Sequence, residues 1–194
     1  MGNSFMSILI LGLVILLAGH SVQMAPALHA SLQQKFGRNI YRGLYSVVAV
    51  IGVALVIDGF GRYRADGMIP VWDSPTGMKH LNLLLMLFAF IALIASQLPR
   101  GYIKARLKHP MLVGLKAWAL GHLLANGDLG SIILFGSILA WAVVNRISFR
   151  WRPVGAEPPA PRVFGDVLSV GIGVIAYVAM LYLHPILIGV SVFG

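Results

Sequence analysis

The chain has no cysteine, which removes disulfides, thiolate-ligated haem, iron–sulfur clusters and a cysteine nucleophile together. Carboxylates are nearly as scarce: six Asp and Glu in 194 residues against fifteen Lys and Arg. No paired-carboxylate or serine–histidine–acid constellation stands out, and a zinc site would lack the acidic or thiolate ligands it usually recruits. Charge of either sign is sparse at 11% of residues, whereas a water-soluble domain carries about 25%. With 58% hydrophobic residues and a mean hydropathy of +0.85, a soluble globule is excluded.

What is present in quantity is long apolar sequence. Crossing a hydrocarbon layer of ~30 Å takes about 20 helical residues at ~1.5 Å each. Apolar runs at Ser4–Ala27, Tyr41–Phe60, Leu81–Leu98, Met111–Ala125, Leu129–Asn145 and Val163–Val192 predict an all-α, polytopic membrane helical bundle with about six spans. The fourth is short and polar enough, with Lys116 inside it, to be expected internal, enclosed by the others. The whole chain, 1–194, reads as one transmembrane domain. Residues 152–162, with four prolines, form an extended linker within it. No internal repeat supports an inverted-repeat transporter.

The net charge of +9 is explained by where the cations lie. Eleven of the fifteen Lys and Arg fall in alternate loops: Lys35, Arg38 and Arg42; Arg100, Lys104, Arg106 and Lys108; Arg146, Arg150, Arg152 and Arg162. Positive loops stay in the cytoplasm, so a bacterial inner membrane with both termini on the periplasmic side is expected, and the 152–162 linker is cytoplasmic. Because the cations are interleaved with spans and form no single stripe, they call for no nucleic acid. The partner they imply is the lipid bilayer. The start of the chain matches neither a cleavable signal, lacking a charged n-region, nor a myristoylation motif, having Met6 where Ser or Thr belongs.

Local signals add detail. Pro26 breaks the first span, and His29–Asn39 suits an interfacial helix that Gly37 stops. Tyr41 and Tyr45 open the second span at headgroup level, where anchoring by an amphipathic ring is the ordinary role. Gly61–His80, rich in Pro, Asp and Gly, is a connector or a lid. Gly12 with Leu16, Gly136 with Ala140, and the run from Gly165 to Ala179 offer small-residue contacts between helices.

Histidine carries the chemistry. Of His20, His29, His80, His109, His122 and His184, several lie within or at the ends of spans, where an ionisable group marks a candidate site and a hydrogen-bonded neutral imidazole is the plainer alternative. Trp118, His122 and Asn126 are spaced by four and share a helix face. Asn126-Gly127-Asp128 reads as a tight turn with Asp128 capping the fifth span, or with Asn126 or Asp128 orienting a ligand of the His122 site. Two imidazoles from different helices are a common way for a bundle to hold haem b, which makes haem a better guess than zinc.

The residues Gly19-His20-Ser21, Gly37, Tyr41-Arg42-Gly43-Leu44-Tyr45-Ser46, Lys108-His109-Pro110, and Trp118 through Asp128 into Leu134-Phe135-Gly136 resemble the NnrU family over nearly the whole chain. Those are membrane proteins associated with denitrification and related to 15-cis-zeta-carotene isomerase. The resemblance implies haem b with His20 and His122 as the axial pair on the iron. It implies a haem-binding, redox-capable membrane protein of nitrite and nitric oxide metabolism, with a small gaseous or lipophilic ligand. The alternatives it leaves are a haem-dependent cis-trans isomerase of a polyene, or a methyltransferase-like enzyme using the His109 corner; whether the chain is an enzyme stays open. Depth argues against an easy pairing. His122 should stand about 20 Å from the inner boundary and His20 about 10 Å, so His184 is the alternative partner, and a cluster of His80, His122 and His184 would favour a plain metal. The candidate cofactor-binding set is therefore His20, His122, His109, His184, Trp118, Asn126, Asp128, Tyr41 and Arg42.

Overall fold

The computed structural model describes residues 2–152 and 157–192, with side chains from residue 5 onward. Among these residues there are eight α-helices and no strand: α1 Gly2–Ser21, α2 Pro26–Phe36, α3 Arg38–Ala65, α4 Thr76–Gln97, α5 Tyr102–Leu107, α6 Pro110–Ala125, α7 Leu129–Ser148 and α8 Val163–Leu187. Five of them, α1, α3, α4, α7 and α8, are long and apolar enough to cross a membrane, and α6 is the shorter sixth. Their outer faces carry large apolar side chains such as Val50, Ile57, Ile175 and Ile186, each at least 67% exposed. Such surfaces belong in lipid, not water. The all-α membrane class is as expected.

The chain folds as two compact units, residues 1–74 with 126–154, and residues 75–125 with 155–194. In the first, α1 and α3 run antiparallel with their backbones in contact. A Cβ on Gly12 would lie 2.7 Å from Val56 N, one on Gly52 2.9 Å from Leu16 Cα, and one on Gly59 2.5 Å from Leu9 N. Close approach of backbones replaces the hydrophobic drive that lipid withholds. α7 lies along α1 in the same direction: the Trp141 indole N–H bonds Ser21 Oγ at 3.0 Å at the end of α1, while Gly130 at the start of α7 packs on Tyr63, at the end of α3 that meets the start of α1. Where the sequence puts one broken span, α1 ends at Ser21, a 3₁₀ turn covers Val22–Met24, and Pro26 starts α2 at the position where its missing N–H costs nothing. Gly37 stops α2 with φ +76, as expected, and also serves as N-cap of α3.

The connector after α3 is strapped down within this unit. Val71 N and Trp72 N donate to Gly127 O at 2.8 and 3.0 Å, and Leu129 N donates to Ile69 O at 2.9 Å. Tyr63 Oη accepts from Ile69 N at 2.9 Å, and the Trp72 carbonyl occupies the space a Cβ on Gly127 would need. Asp128 caps α7 through its Oδ1, which accepts from Ser131 N at 2.9 Å. Gly136, expected to pack, faces open space. At the far end of α7, Arg152 donates to Asn145 Oδ1 and Ser148 Oγ at 2.5 and 2.6 Å.

In the second unit α4 packs against both α6 and α8. Ala89, Ala92 and Ala95 are buried along it, Gly114 of α6 sits on the Ala89 carbonyl, and Gly173 of α8 sits on Ile91. Asp166 ties α8 to α5 by accepting from Tyr102 N and Ile103 N at 2.9 and 2.8 Å. Lys104 Nζ closes the end of α4 on Ser96 O and Leu98 O. α6 is buried on two opposite faces, Pro110, Gly114, Ala117 and Gly121 on one and Leu112 and Ala119 on the other, and only Met111 and Leu120 between them are exposed, at 50% and 40%. Of the proline-rich linker, residues 153–156 lie outside the described residues. Glu157–Pro161 has no regular structure and is gripped by Arg100, which donates to Pro158 O and Pro159 O at 3.0 and 2.6 Å.

Candidate functional site

In the first unit a file of rings runs across three spans and the interfacial helix. His29 on α2 meets Tyr41 edge-on at 5.3 Å between ring centroids, and Tyr41 lies 6.5 Å from Tyr45 one turn further along α3. Tyr45 lies 5.1 Å from His20 at the end of α1, and His20 lies 6.0 Å from Trp141 on α7. The i,i+4 spacing of Tyr41 and Tyr45 puts both phenols on the α3 face that looks at α1 and α2. His20 turns its Nδ1 to Leu16 O at 2.8 Å. A carbonyl accepts only, so Nδ1 carries the proton and Nε2 of the neutral ring carries the lone pair.

Beside these rings opens a polar cavity of about 510 Å³. Gln23, His29, Gln33, Arg38 and Arg42 line it together with the two tyrosines. On the other side of Tyr41 and Tyr45 lies an apolar groove of about 190 Å³, floored by Gly19, Val22, Leu32, Phe36, Leu44 and Val48. Tyr41 and Arg42, singled out in the sequence, are therefore together with each other and with His29.

The second unit holds His122, with its ring centroid 5.0 Å from that of Trp118 and its Nδ1 on Trp118 O at 2.9 Å. The spacing of four thus does bring Trp118 and His122 together, while Asn126 lies beyond the end of α6. Asn82 of α4 turns a buried Oδ1 toward the Cα of Gly121, the residue before His122, where a Cβ would collide with it. His184, near the end of α8, places its Nδ1 2.8 Å from Val190 O. His109 stands at the opposite end of α6 from His122, and His80 is exposed at the start of α4. Among the described residues no three His, Asp or Glu gather to hold a metal, so the cluster of His80, His122 and His184 is not formed. Asp128 is engaged as a helix cap.

The Lys108-His109-Pro110 corner is a tight backbone reversal. Lys108, at φ +60 and ψ −46, is the sole non-glycine residue with positive φ among those described, and His109 N donates across it to Leu107 O at 2.6 Å. Pro110 then opens α6, so the corner sets where that helix begins.

Sequence reading missed Trp141, Gln23, Gln33 and Arg38 as site residues. Trp141 had a signal: an indole N–H in the middle of an apolar run must find a partner, and it finds Ser21. The two glutamines gave no signal until α2 folded back on α3.

With this geometry in hand, comparison with known proteins gives one decisive match: the NnrU protein family covers residues 8–192. The chain belongs to the NnrU family. No curated protein and no solved structure matches it. The match begins within α1 and runs past the end of α8.

Proposed function

We propose that this NnrU-family membrane protein binds haem b and serves nitrogen-oxide metabolism; His20 in the first unit, and His122 with His184 in the second, are the candidate iron ligands. One shared feature carries the reading: each of these three rings commits Nδ1–H to a backbone carbonyl, at 2.8, 2.9 and 2.8 Å respectively. In the neutral ring that bond leaves the lone pair on Nε2, and it holds the ring at a set angle, the arrangement that metal-ligating histidines use. His29 differs, because the hydrogen bond its ring makes is at Nε2, from the Gln33 amide at 3.1 Å, and not from Nδ1 to a carbonyl.

The donor set suits haem better than zinc. Zinc asks for three or four protein ligands in one place, whereas haem brings four nitrogens of its own and needs at most two more. The aromatic neighbours, Tyr45 and Trp141 at His20 and Trp118 at His122, would keep water from the iron. When bound, haem would supply a ferrous centre able to take up nitric oxide. The protein's share is to orient the imidazoles.

The test is the absorbance of the full chain purified in detergent from cells supplied with haem precursor. A Soret band that shifts on reduction is expected, most of it lost in the His→Ala variant of each ligand among His20, His122 and His184, and kept in His80→Ala. A protein without a Soret band, or one whose band survives all three substitutions, would contradict the reading.

A further inference from the structure

The basic end of the first unit is a charge arrangement with no counter-ion of its own. Arg38 and Arg42 are four residues apart on one face of α3, a like-charge spacing that destabilises a helix unless an anion intervenes. Arg38 is also the first residue of α3, where the helix dipole adds further positive charge and Gly37 offers no side-chain cap. Among the described residues neither guanidinium makes an ion pair or a hydrogen bond. The acids of this unit lie toward the opposite end of these antiparallel helices: Asp58 in the last turns of α3, where Arg62 pairs with it, Asp66 and Asp73 beyond that helix, and Asp128 at the start of α7. Both arginines line the polar cavity with His29, Gln23 and Gln33. Behind Tyr41 and Tyr45 the cavity is continued by the apolar groove over Leu32, Leu44 and Val48. An anionic pocket partner and a hydrocarbon partner are thus called for side by side, at the end of the spans where lipid headgroups lie.

We propose that this site holds one anionic glycerophospholipid of the bilayer, its phosphate between Arg38 and Arg42 and one acyl chain along the groove behind the two tyrosines. The guanidiniums supply charge-assisted hydrogen bonds to the phosphate oxygens, geometry that arginine suits better than lysine. Gln23 and Gln33 offer amide donors to the glycerol and ester oxygens. The chain of the lipid seats α2 against α3, so the interfacial helix is held by what it binds.

The experiment uses the full chain, delipidated in neutral detergent, with lipid binding followed by native mass spectrometry. Each basic residue near the headgroup contributes on the order of a factor of five, and phosphatidylcholine keeps the phosphate while its choline offsets the charge, so phosphatidylglycerol is expected to bind about tenfold more tightly than phosphatidylcholine of the same chains. Arg38→Gln with Arg42→Gln lowers phosphatidylglycerol affinity roughly thirtyfold. Arg106→Gln on α5 leaves it unchanged. The paired lysine substitutions, Arg38→Lys with Arg42→Lys, keep most of the binding, which separates loss of charge from loss of folding. Glycerol 3-phosphate, a head without a tail, binds at least tenfold more weakly than the lipid. Equal binding of the two lipids, no effect of the glutamine pair, or glycerol 3-phosphate binding as tightly as the lipid would overturn the proposal. Haem content is read by absorbance in the same samples and stays constant across the arginine variants. A fall in haem together with lipid would overturn it too, by assigning the arginines to the carboxylates of the haem.

Discussion

Lys108 shows what single residues decide here. At φ +60 and ψ −46, with His109 N bonded back to Leu107 O, it occupies a conformation that costs an L-residue about 1–2 kcal/mol. Glycine pays no such cost, although it gives back roughly 0.5–1 kcal/mol through a freer unfolded chain. Lys108→Gly is therefore expected to stabilise the protein slightly, by up to about 1 kcal/mol, and Lys108→Val to destabilise it by 1 kcal/mol or more. Detergent-denaturation midpoints of the two variants against the parent check this; a Gly variant less stable than the Val variant would contradict it. Asp128 and Gly37 also act at this scale, and both were legible in the sequence because a cap and a helix stop depend only on the residues next to them. The ring file from His29 to Trp141 was not. Its members come from α1, α2, α3 and α7, and only the crossing of those helices makes them neighbours.

Among the elements, the pairing of α1 with α3 rests on three glycines whose absent side chains let the backbones meet. Gly59 is the tightest, since a Cβ there would meet Leu9 N at 2.5 Å, and backbone cannot yield as a flexible side chain can. Gly59→Val is expected to destabilise the fold by about 1–3 kcal/mol, whereas Gly136→Val, which faces open space, should change it by less than about 0.5 kcal/mol. The measurement is unfolding in mixed micelles as SDS is titrated, and equal effects of the two substitutions would refute the assignment of the interface. Here the sequence was half legible. Small residues at helical spacing signal close approach, yet the spacing of Gly136 and Ala140 looked the same as that of true contacts, because sequence does not tell a partner-facing stripe from a lipid-facing one. The short α6 was read correctly as a sixth, lesser helix. Its expected enclosure holds for two opposite faces, Gly114, Ala117 and Gly121 on one and Leu112 and Ala119 on the other, while Met111 and Leu120 between them stay exposed.

For the whole molecule, composition alone settled the class: few charges, no cysteine and five long apolar helices leave only a membrane protein. The uneven distribution of cations was equally plain, and in the first unit folding sends Lys35, Arg38, Arg42, Arg146 and Arg150 to an end without a carboxylate, while the four aspartates lie toward the other end with Arg62 and Arg64. What composition could not reveal is that the polar residues of that basic end line one open pocket, because Gln23 and Gln33 are unremarkable until α2 turns back at Pro26. The haem reading draws on both scales: spans dry enough to shelter iron, and imidazoles whose protons are already committed to carbonyl oxygens. Low-temperature electron paramagnetic resonance of the oxidised, purified protein tests it most directly. A low-spin ferric signal from an iron held by two imidazoles is expected, and a preparation with no ferric haem signal would contradict the account.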